Sequence, residues 1–442
     1  MSQEGTLPRR AGGSPIQSIV VQVLSGSDAG LRHSAQSERV TIGSAAGNDV
    51  VLGDRAVSRY HAELSRSAEG IVVHDLGSTN GIRVGPTLLR DARLIVPPQT
   101  VIGLGDSTLR LDDGEVALVE VHGDGALGGL RGDSPLMRRL MARILRAARQ
   151  PDVSVLIVGE SGTGKELAAR ALHDSGARAA GPFVIVDCAA IPPSLFAAEL
   201  FGYERGAFTG ADRQHAGALE RAAGGTLFLD EVGETPPATQ ASLLGALERR
   251  VIRRVGGSAD IRIDVRLVSA TNRDLRAEVN AGTFRLDLYY RLAVVVLETP
   301  PLREHPEDIL ALVEHFIAEA GHSTTAPSTF DDRALEELRN HPWPGNVREL
   351  RNVVASALAM GEGPNLHDAA AKAVGLTTPP QATDALLALP YRDARSAVLR
   401  AFEEQYLRAL LQRSEGNIRR AARDASMDRN YLTDLLKRHK LK

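Results

Sequence analysis

Three hydrophobic rhythms follow one another along the chain. From Ser18 to about Leu118 apolar residues come in short alternating runs: Ile19–Leu24, Val40–Ile42, Val50–Leu52, Ile71–Val73, Thr100–Ile102 and Ser107–Leu111. Turn residues separate them at roughly ten-residue intervals, which predicts an all-β sandwich over 18–118. Over 133–300 apolar runs alternate instead with stretches of helical spacing. Val153–Val158, Pro182–Asp187, Gly224–Asp230, Arg266–Thr271 and Val294–Leu297 read as strands of a mainly parallel α/β sheet. Ser134 as N-cap and Pro135 at the first position open a helix running to about Arg149. Residues 301–361 read as a helical lid, with Pro342 and Pro344 bracketing the turn into its last helix. Over 391–442 a long amphipathic helix (Ala394–Gln412) is broken by Glu415-Gly416-Asn417. A short helix (Ile418–Arg423), a turn (Ala425–Asp428) and a third helix (Arg429–His439) follow, the layout of a helix-turn-helix.

Between these blocks the pattern lapses. Residues 1–17 have no apolar core and predict a disordered tail, not a signal peptide. The glycine-rich stretch 119–132 and the Pro-, Thr- and Ala-rich stretch 362–390 read as linkers.

Composition sharpens this division. A chain of 442 residues exceeds one core and suggests about three domains. Its 43% hydrophobic and 24% charged residues are those of soluble globular protein. The single cysteine, Cys188, excludes a disulfide framework and a cysteine-based zinc site, and fits a reducing cytosol. No apolar run approaches a membrane span, so a cytoplasmic location is expected. The net charge of −3 is unevenly spread: residues 392–442 carry 13 Lys/Arg against 7 Asp/Glu. A basic end on an acidic body points to a polyanion bound by that end.

The strongest chemical signal is Gly159-Glu160-Ser161-Gly162-Thr163-Gly164-Lys165-Glu166, which follows an apolar strand and opens a helix. Strand, glycine loop and helix form the context of a phosphate-binding loop. Glycines turn backbone N–H groups toward phosphates, the helix N-terminus adds positive potential, and Lys165 supplies a point charge. Lysine is rare here, five against 47 arginines, so its placement is informative. Glu166 stands where such loops usually carry the Ser or Thr that ligates magnesium. Two further strands end in Asp230-Glu231 and Thr271-Asn272, and the carboxyl ends of a parallel sheet are where ligands bind. Asp230 is expected to hold Mg2+, directly or through water, and Glu231 to polarise the attacking water.

Around this core, GESGTGKE, Gly206-Ala207-Phe208-Thr209-Gly210-Ala211, Gly224–Glu231, Phe284–Leu292 and Trp343–Leu350 resemble sigma-54-dependent transcription activators, a family of AAA+ ATPases. The resemblance spans about residues 126–361. It implies ATP with Mg2+ as the nucleotide, a ring-shaped homo-oligomer, a hexamer in expectation, and remodelling of sigma-54 RNA polymerase. It also explains Glu166, since the family commonly has Glu after the loop lysine. The 206–211 loop would touch sigma-54. Arg285 and Arg291 would reach a neighbour's γ-phosphate, either of them being the finger, and Arg348 would sense nucleotide in cis. The family commonly has asparagine at the position of Asp187, pairing with the catalytic glutamate. With Asp187 the switch is looser, or the carboxylate finds another donor. The C-terminal block is similar to a Fis-type DNA-binding domain. Arg429, Asn430, Tyr431 and Thr433 would face the major groove of enhancer DNA, with Lys437 and Arg438 on phosphates.

In the N-terminal block Gly43, Val57–His61 and Asp75–Gly81 resemble a forkhead-associated (FHA) domain, which binds phosphothreonine peptides. The resemblance implies that Ser58 contacts phosphate, Asn80 grips the peptide backbone and His61 braces the site. The family's arginine after the glycine is Ser44 here, a role that Arg55 or Arg59 would have to fill. The expected partner is a threonine-phosphorylated protein; a sandwich that no longer reads phosphate is the alternative. For the whole chain the alternatives are an AAA+ remodeller of another substrate and a phosphopeptide-binding scaffold with a degenerate ATPase.

Overall fold

The computed structural model describes residues 13–34, 39–67, 69–321, 326, 330–360 and the positions 407, 410 and 436. The expected helix-turn-helix, including Arg429, Asn430, Tyr431, Thr433, Lys437 and Arg438, lies outside the described residues.

The N-terminal block is a two-sheet sandwich. One sheet has the order Arg32–Ser34, Gly13–Ser25, Ser107–Glu120, Val101–Leu104, Ile82–Val84, Thr87–Leu89. The other runs Val50–Val51, Arg39–Gly43, Ala62–Ser67, Gly70–Asp75, Arg93–Val96. Strand alternation sends every second side chain inward. Ile19, Val21 and Val23 are buried, with Val21 opposite Leu111 and Val23 opposite Leu109 across the antiparallel pair. The second sheet adds Val40, Ile42, Leu64, Ile71 and Val73 to the same core.

Two boundaries differ from expectation. The supposed tail 1–17 contains the start of the first strand, from Gly13, because Pro15 and Ile16 pair with Leu118 and Ala117. The supposed linker 119–132 contains the end of that strand's partner, Glu120, and a small hairpin, Ala126–Leu127 with Leu130–Arg131. Leu130 is buried against the core of the following α/β block, which anchors the hairpin. Both are held by backbone pairing, which needs no apolar alternation.

The α/β block begins with α1 (Pro135–Ala148), capped by Ser134, whose hydroxyl accepts the Met137 N–H. It continues with α2 (Lys165–Asp174), α3 (Pro193–Phe201), α4 (Ala218–Arg221), α5 (Pro237–Arg249), α6 (Leu275–Ala281) and α7 (Leu286–Leu292). Its sheet has the order Phe183–Asp187, Thr226–Asp230, Arg266–Thr271, Val155–Val158, Val295–Glu298, parallel throughout. Helices cover both faces, so the strands are apolar on both sides. Val155, Ile157, Phe228 and Val268 face α1 and α2, whereas Leu156, Leu227, Leu229 and Leu267 face the opposite core.

The lid comprises α8 (Ile309–Glu319), α9 (Asp332–Asn340) and α10 (Asn346–Met360). Its pivot is Trp343, fully buried with positive φ, whose indole N–H donates to Leu338 O at 2.8 Å. Deleting that ring removes a large buried surface and leaves a carbonyl unpaired. Trp343→Ala is expected to destabilise the lid by about 3–5 kcal/mol, read as a lowered midpoint in thermal denaturation. A midpoint within error of the parent would contradict this account.

Candidate nucleotide site and its flanking loops

The glycine loop leaves the carboxyl end of the Val155–Val158 strand. Gly162 and Gly164 have φ of 80° and 90°, a region open mainly to glycine. A Cβ on Gly159 would stand 2.0 Å from Thr299 Oγ1, and one on Gly162 would stand 2.3 Å from Gly345 O. The loop is therefore a cradle that backbone alone fits. Thr163 is buried; its hydroxyl donates to Glu160 O at 2.8 Å and lies 2.8 Å from Thr299 Oγ1. Lys165, also buried, donates to Gly159 O at 3.0 Å and pairs with Glu231 Oε1 at 3.2 Å. Glu166 is exposed in the first turn of α2, where the helix dipole favours a carboxylate.

The acid pair closes the other side. Asp230 Oδ1 accepts the Glu231 N–H at 3.0 Å. Burial raises the Asp230 carboxyl above its ordinary value, and the Glu231 charge raises it further. A cation beside it would favour the ionised form. Among the described residues no group of three or more His, Cys, Asp or Glu could hold a metal. The Asp230-Glu231 pair nevertheless fits magnesium, which takes one or two carboxylates plus phosphates and water.

Glu231 is strained, at φ 49°, a conformation costing about 1–3 kcal/mol for a non-glycine residue. It is held there by the Asn272 N–H, donated to Oε2 at 3.0 Å, and by Lys165 on Oε1. Thr271 is fully buried, its hydroxyl accepting the Arg273 N–H. Asp187 lies in register opposite Asp230, yet its Oδ1 accepts the N–H groups of Ala189 and Ala190 at 3.0 and 3.3 Å. Position 187 thus caps its own turn, and Glu231 is bonded to Asn272 and Lys165 instead. A carboxylate accepts but does not donate, so it seeks amide hydrogens and not a second carboxylate.

The lid meets the loop through a polar seam. Arg348 donates to Ser161 Oγ at 2.9 Å. Asn346 is wholly buried and donates to Glu160 Oε2 and Ser161 O while accepting the Leu302 N–H. Arg303 forks onto both oxygens of Glu160 at 2.8 and 2.6 Å. Sequence reasoning found Arg348 but missed Arg303 and Asn346 as site residues. The Trp-Pro-Gly-Asn turn was the available signal for Asn346; Arg303 had none.

Arg285 is the N-cap of α7 and Arg291 lies in its last turn; both are exposed. Arg285 forks onto its own Asp287 at 3.0 and 2.6 Å, and Arg291 donates to Leu247 O at 3.0 Å. In the 206–211 loop, Gly206 and Gly210 have φ of 81° and 99°, and the Gly206 N–H donates to Ala211 O at 2.8 Å. Thr209 is exposed, Ala207 half-buried and Ala211 buried. Phe208 is 38% exposed and leans edge-on to Tyr203 at 5.0 Å.

In the sandwich, Ser58 Oγ accepts the Thr79 N–H at 3.0 Å, and Asn80 donates to Ala56 O at 2.8 Å. Arg59 is exposed beside them. His61 is fully buried: Nδ1 accepts the Ser58 N–H at 3.1 Å and Nε2 faces Gly81 O at 3.1 Å. It joins the two loops as a neutral ring, because burial lowers its pKa despite the Gly81 carbonyl and nearby Asp75. An unfolded His61 takes up a proton at about pH 6.5, whereas the folded one resists. Protonation therefore favours the unfolded chain, and stability should fall as pH drops below that value. Urea denaturation of the parent and of His61→Gln between pH 7.5 and 5.5 should show a smaller pH slope in the variant; equal slopes would exclude His61 as the source.

A parallel sheet carrying a glycine cradle, an acid pair, a polar strand end and an arginine-bearing helical lid defines an AAA+ ATPase. Residues 130–298 match the model of the sigma-54 interaction domain, and residues 303–373 that of the AAA+ ATPase lid domain. Residues 22–115 match the cytoplasmic domain of an inner membrane component of T3SS. The chain is 45% identical over 311 residues to the transcriptional regulatory protein ZraR of Klebsiella oxytoca, covering 70% of this chain and 69% of that protein. It is 52% identical over 231 residues to the DNA-binding transcriptional regulator NtrC of Rhizobium meliloti (strain 1021), covering 52% and 48%. The solved structure of NtrX from Brucella abortus in complex with ADP superposes with a TM-score of 0.52 at 38% identity, covering 70% of each chain. The chain belongs to the family of sigma-54-interacting AAA+ transcriptional regulators, although it spans about half the length of NtrC. Among the described residues no helix is long and apolar enough to cross a membrane.

Proposed function

We propose that this chain is a sigma-54-dependent transcription activator that converts ATP hydrolysis into remodelling of the polymerase closed complex. The observation that carries this reading is the exposed Phe208, set between two left-handed glycines on the same subdomain as the nucleotide cradle. Lys165 and the loop N–H groups bind the phosphates, Glu231 orients the attacking water, and Asp230 would hold Mg2+, whose charge would offset that of the phosphates. Thr271 and Asn272 position Glu231, Arg348 reports on the nucleotide in cis, and Arg285 and Arg291 complete a neighbour's pocket in a ring, hexameric in our reading. Asp187 stays on its own turn and does not lock Glu231. Residues 391–442 anchor the ring on enhancer DNA. The sandwich recognises a threonine-phosphorylated protein through Ser58, Arg59 and Asn80, braced by His61.

Phe208→Ala should retain ATP hydrolysis within about twofold and lose open-complex formation on a sigma-54 promoter, because the removed ring is exposed and leans on Tyr203 of its own loop base. Retention of open-complex formation would refute the assigned role of the loop. A hydrolysis rate that fell in parallel would assign Phe208 to the ATPase fold instead.

A further inference from the structure

The sandwich and the ATPase share an interface that the assignments above leave unused. Ala45, Tyr60 and Leu76 belong to the sandwich by sequence, yet they pack into the same apolar cluster as Leu275, Phe284, Leu288 and Leu292 of the ATPase. Tyr60 meets Tyr289 edge-on at 5.4 Å. Gly47 lies so close to Tyr290 that a Cβ there would stand 2.5 Å from the ring. The backbone is engaged too. Asn280 of α6 donates to Tyr60 O at 2.5 Å and to Leu76 O at 3.0 Å. Beside it, Arg276 is held between Glu63 of the sandwich at 2.6 Å and its own Asp274 at 3.1 Å. Arg39 joins Glu63 at 3.0 Å and also pairs with Glu298 of the ATPase sheet.

The sandwich touches α6 through Arg276 and Asn280 and α7 through Tyr289 and Tyr290, and α7 carries Arg291 with Arg285 as its N-cap. Tyr289 and Tyr290 lie on α7 between Arg285 and Arg291. In this docked arrangement both arginines are tied within their own chain, Arg285 to Asp287 and Arg291 to Leu247 O. While forked onto Asp287, the Arg285 guanidinium does not reach a phosphate in trans, and for Arg291 the competing acceptor is the Leu247 carbonyl.

We infer that the N-terminal sandwich is a brake on the finger helix: docked through Tyr60, Glu63 and Leu76, it holds α6 and α7 in a state with both fingers engaged in cis. This rests on the reading of Arg285 and Arg291 as trans-acting fingers. Ser58, Thr79 and Asn80 are on the rims of the same two loops that supply Tyr60 and Leu76. A ligand held there and the docked ATPase therefore act on one set of loop conformations, which couples them reciprocally.

A reversible lock tests the brake in the full-length chain. A Cβ built on Gly77 would be 3.9 Å from the Ala277 Cβ, within the range of about 3.5–4.5 Å that a disulfide spans. Gly77→Cys with Ala277→Cys would then join sandwich and α6 when oxidised. The native Cys188 is buried and its thiol is pushed up to about 12, so it stays out of the exchange. Strain from a non-glycine residue at Gly77, φ 62°, is present in both redox forms and cancels in the comparison.

Oxidation should lower the ATPase rate at least fivefold at a protein concentration that supports full turnover, with recovery on reduction. Asn280→Ala, which removes the bonds to both loops without touching the cradle, should raise the rate at low protein concentration at least threefold. Equal or faster turnover in the oxidised form, or no gain from Asn280→Ala, would overturn the brake. The two readings fail differently. A rate independent of protein concentration in the reduced form would sink the trans-finger reading, whereas a concentration-dependent rate indifferent to the lock would sink the brake alone.

Discussion

Replacing Glu231 with glutamine should abolish ATP hydrolysis while leaving ATP bound. The amide keeps the size and the oxygen that accepts the Asn272 N–H at 3.0 Å, so the strained backbone at φ 49° keeps its side-chain brace. It loses the negative charge opposite Lys165 and the basicity that orients and deprotonates water. General-base catalysis contributes about 10²–10⁴-fold, so phosphate release should fall at least a hundredfold. Binding of a fluorescent ATP analogue should stay within about threefold, because the proposed phosphate contacts are made by Lys165 and the loop N–H groups, which the variant leaves intact. Lys165→Ala provides the contrast, losing binding and hydrolysis together. A Glu231→Gln variant that still turned over at a tenth of the parental rate would remove Glu231 from the chemistry.

The second large effect is complementation between two inactive proteins. Arg285 and Arg291 are exposed and bonded within their own subdomain, away from the loop that holds Lys165. If they act on a neighbour's nucleotide, a double Arg285→Ala, Arg291→Ala variant should be inactive by about 10³-fold or more. Lys165→Ala should be equally inactive, for the opposite reason. Mixed, the first supplies intact cradles and the second intact fingers, so shared pockets reassemble and a measurable fraction of activity should return. Titrating the ratio at constant total protein should give a maximum near equal amounts. If mixing restores nothing although the two proteins co-assemble by light scattering, the shared-pocket mechanism fails. If either variant alone retains more than a few per cent of parental turnover, the role of its altered residue fails.

How far the site could be read in advance depended on whether a residue's role was local. The glycine loop, the Asp230-Glu231 strand end and the Thr271-Asn272 strand end each follow from a few consecutive residues, because a parallel sheet delivers all its strand ends to one edge. The sandwich was visible where strands alternate cleanly, as over Val40–Ile42. Strands such as Ala62–Ser67 passed unnoticed, since only the first half of Ala-Glu-Leu-Ser-Arg-Ser is buried and the rest is defined by pairing. The first strand's entry at Gly13 was hidden for the same reason. Asp187 was recognised as an oddity, but its partners, two amides in its own turn, follow from backbone geometry that no side-chain pattern encodes.

What the order of amino acids determined by itself was the set of candidate groups: the glycine loop with Lys165, the carboxylates Asp230 and Glu231 that end a strand of the same sheet, and the loop that carries Phe208 outward. These depend on short-range spacing and on the fixed geometry of strand, turn and helix. What only the tertiary structure decided was which distant residues constrain that chemistry. Arg303 and Asn346 grip Glu160 from more than a hundred positions away, and Tyr60 and Leu76 are held by Asn280 of α6. Such contacts are made by chain closure and by the burial of complementary polar groups, and a linear pattern contains no term for either.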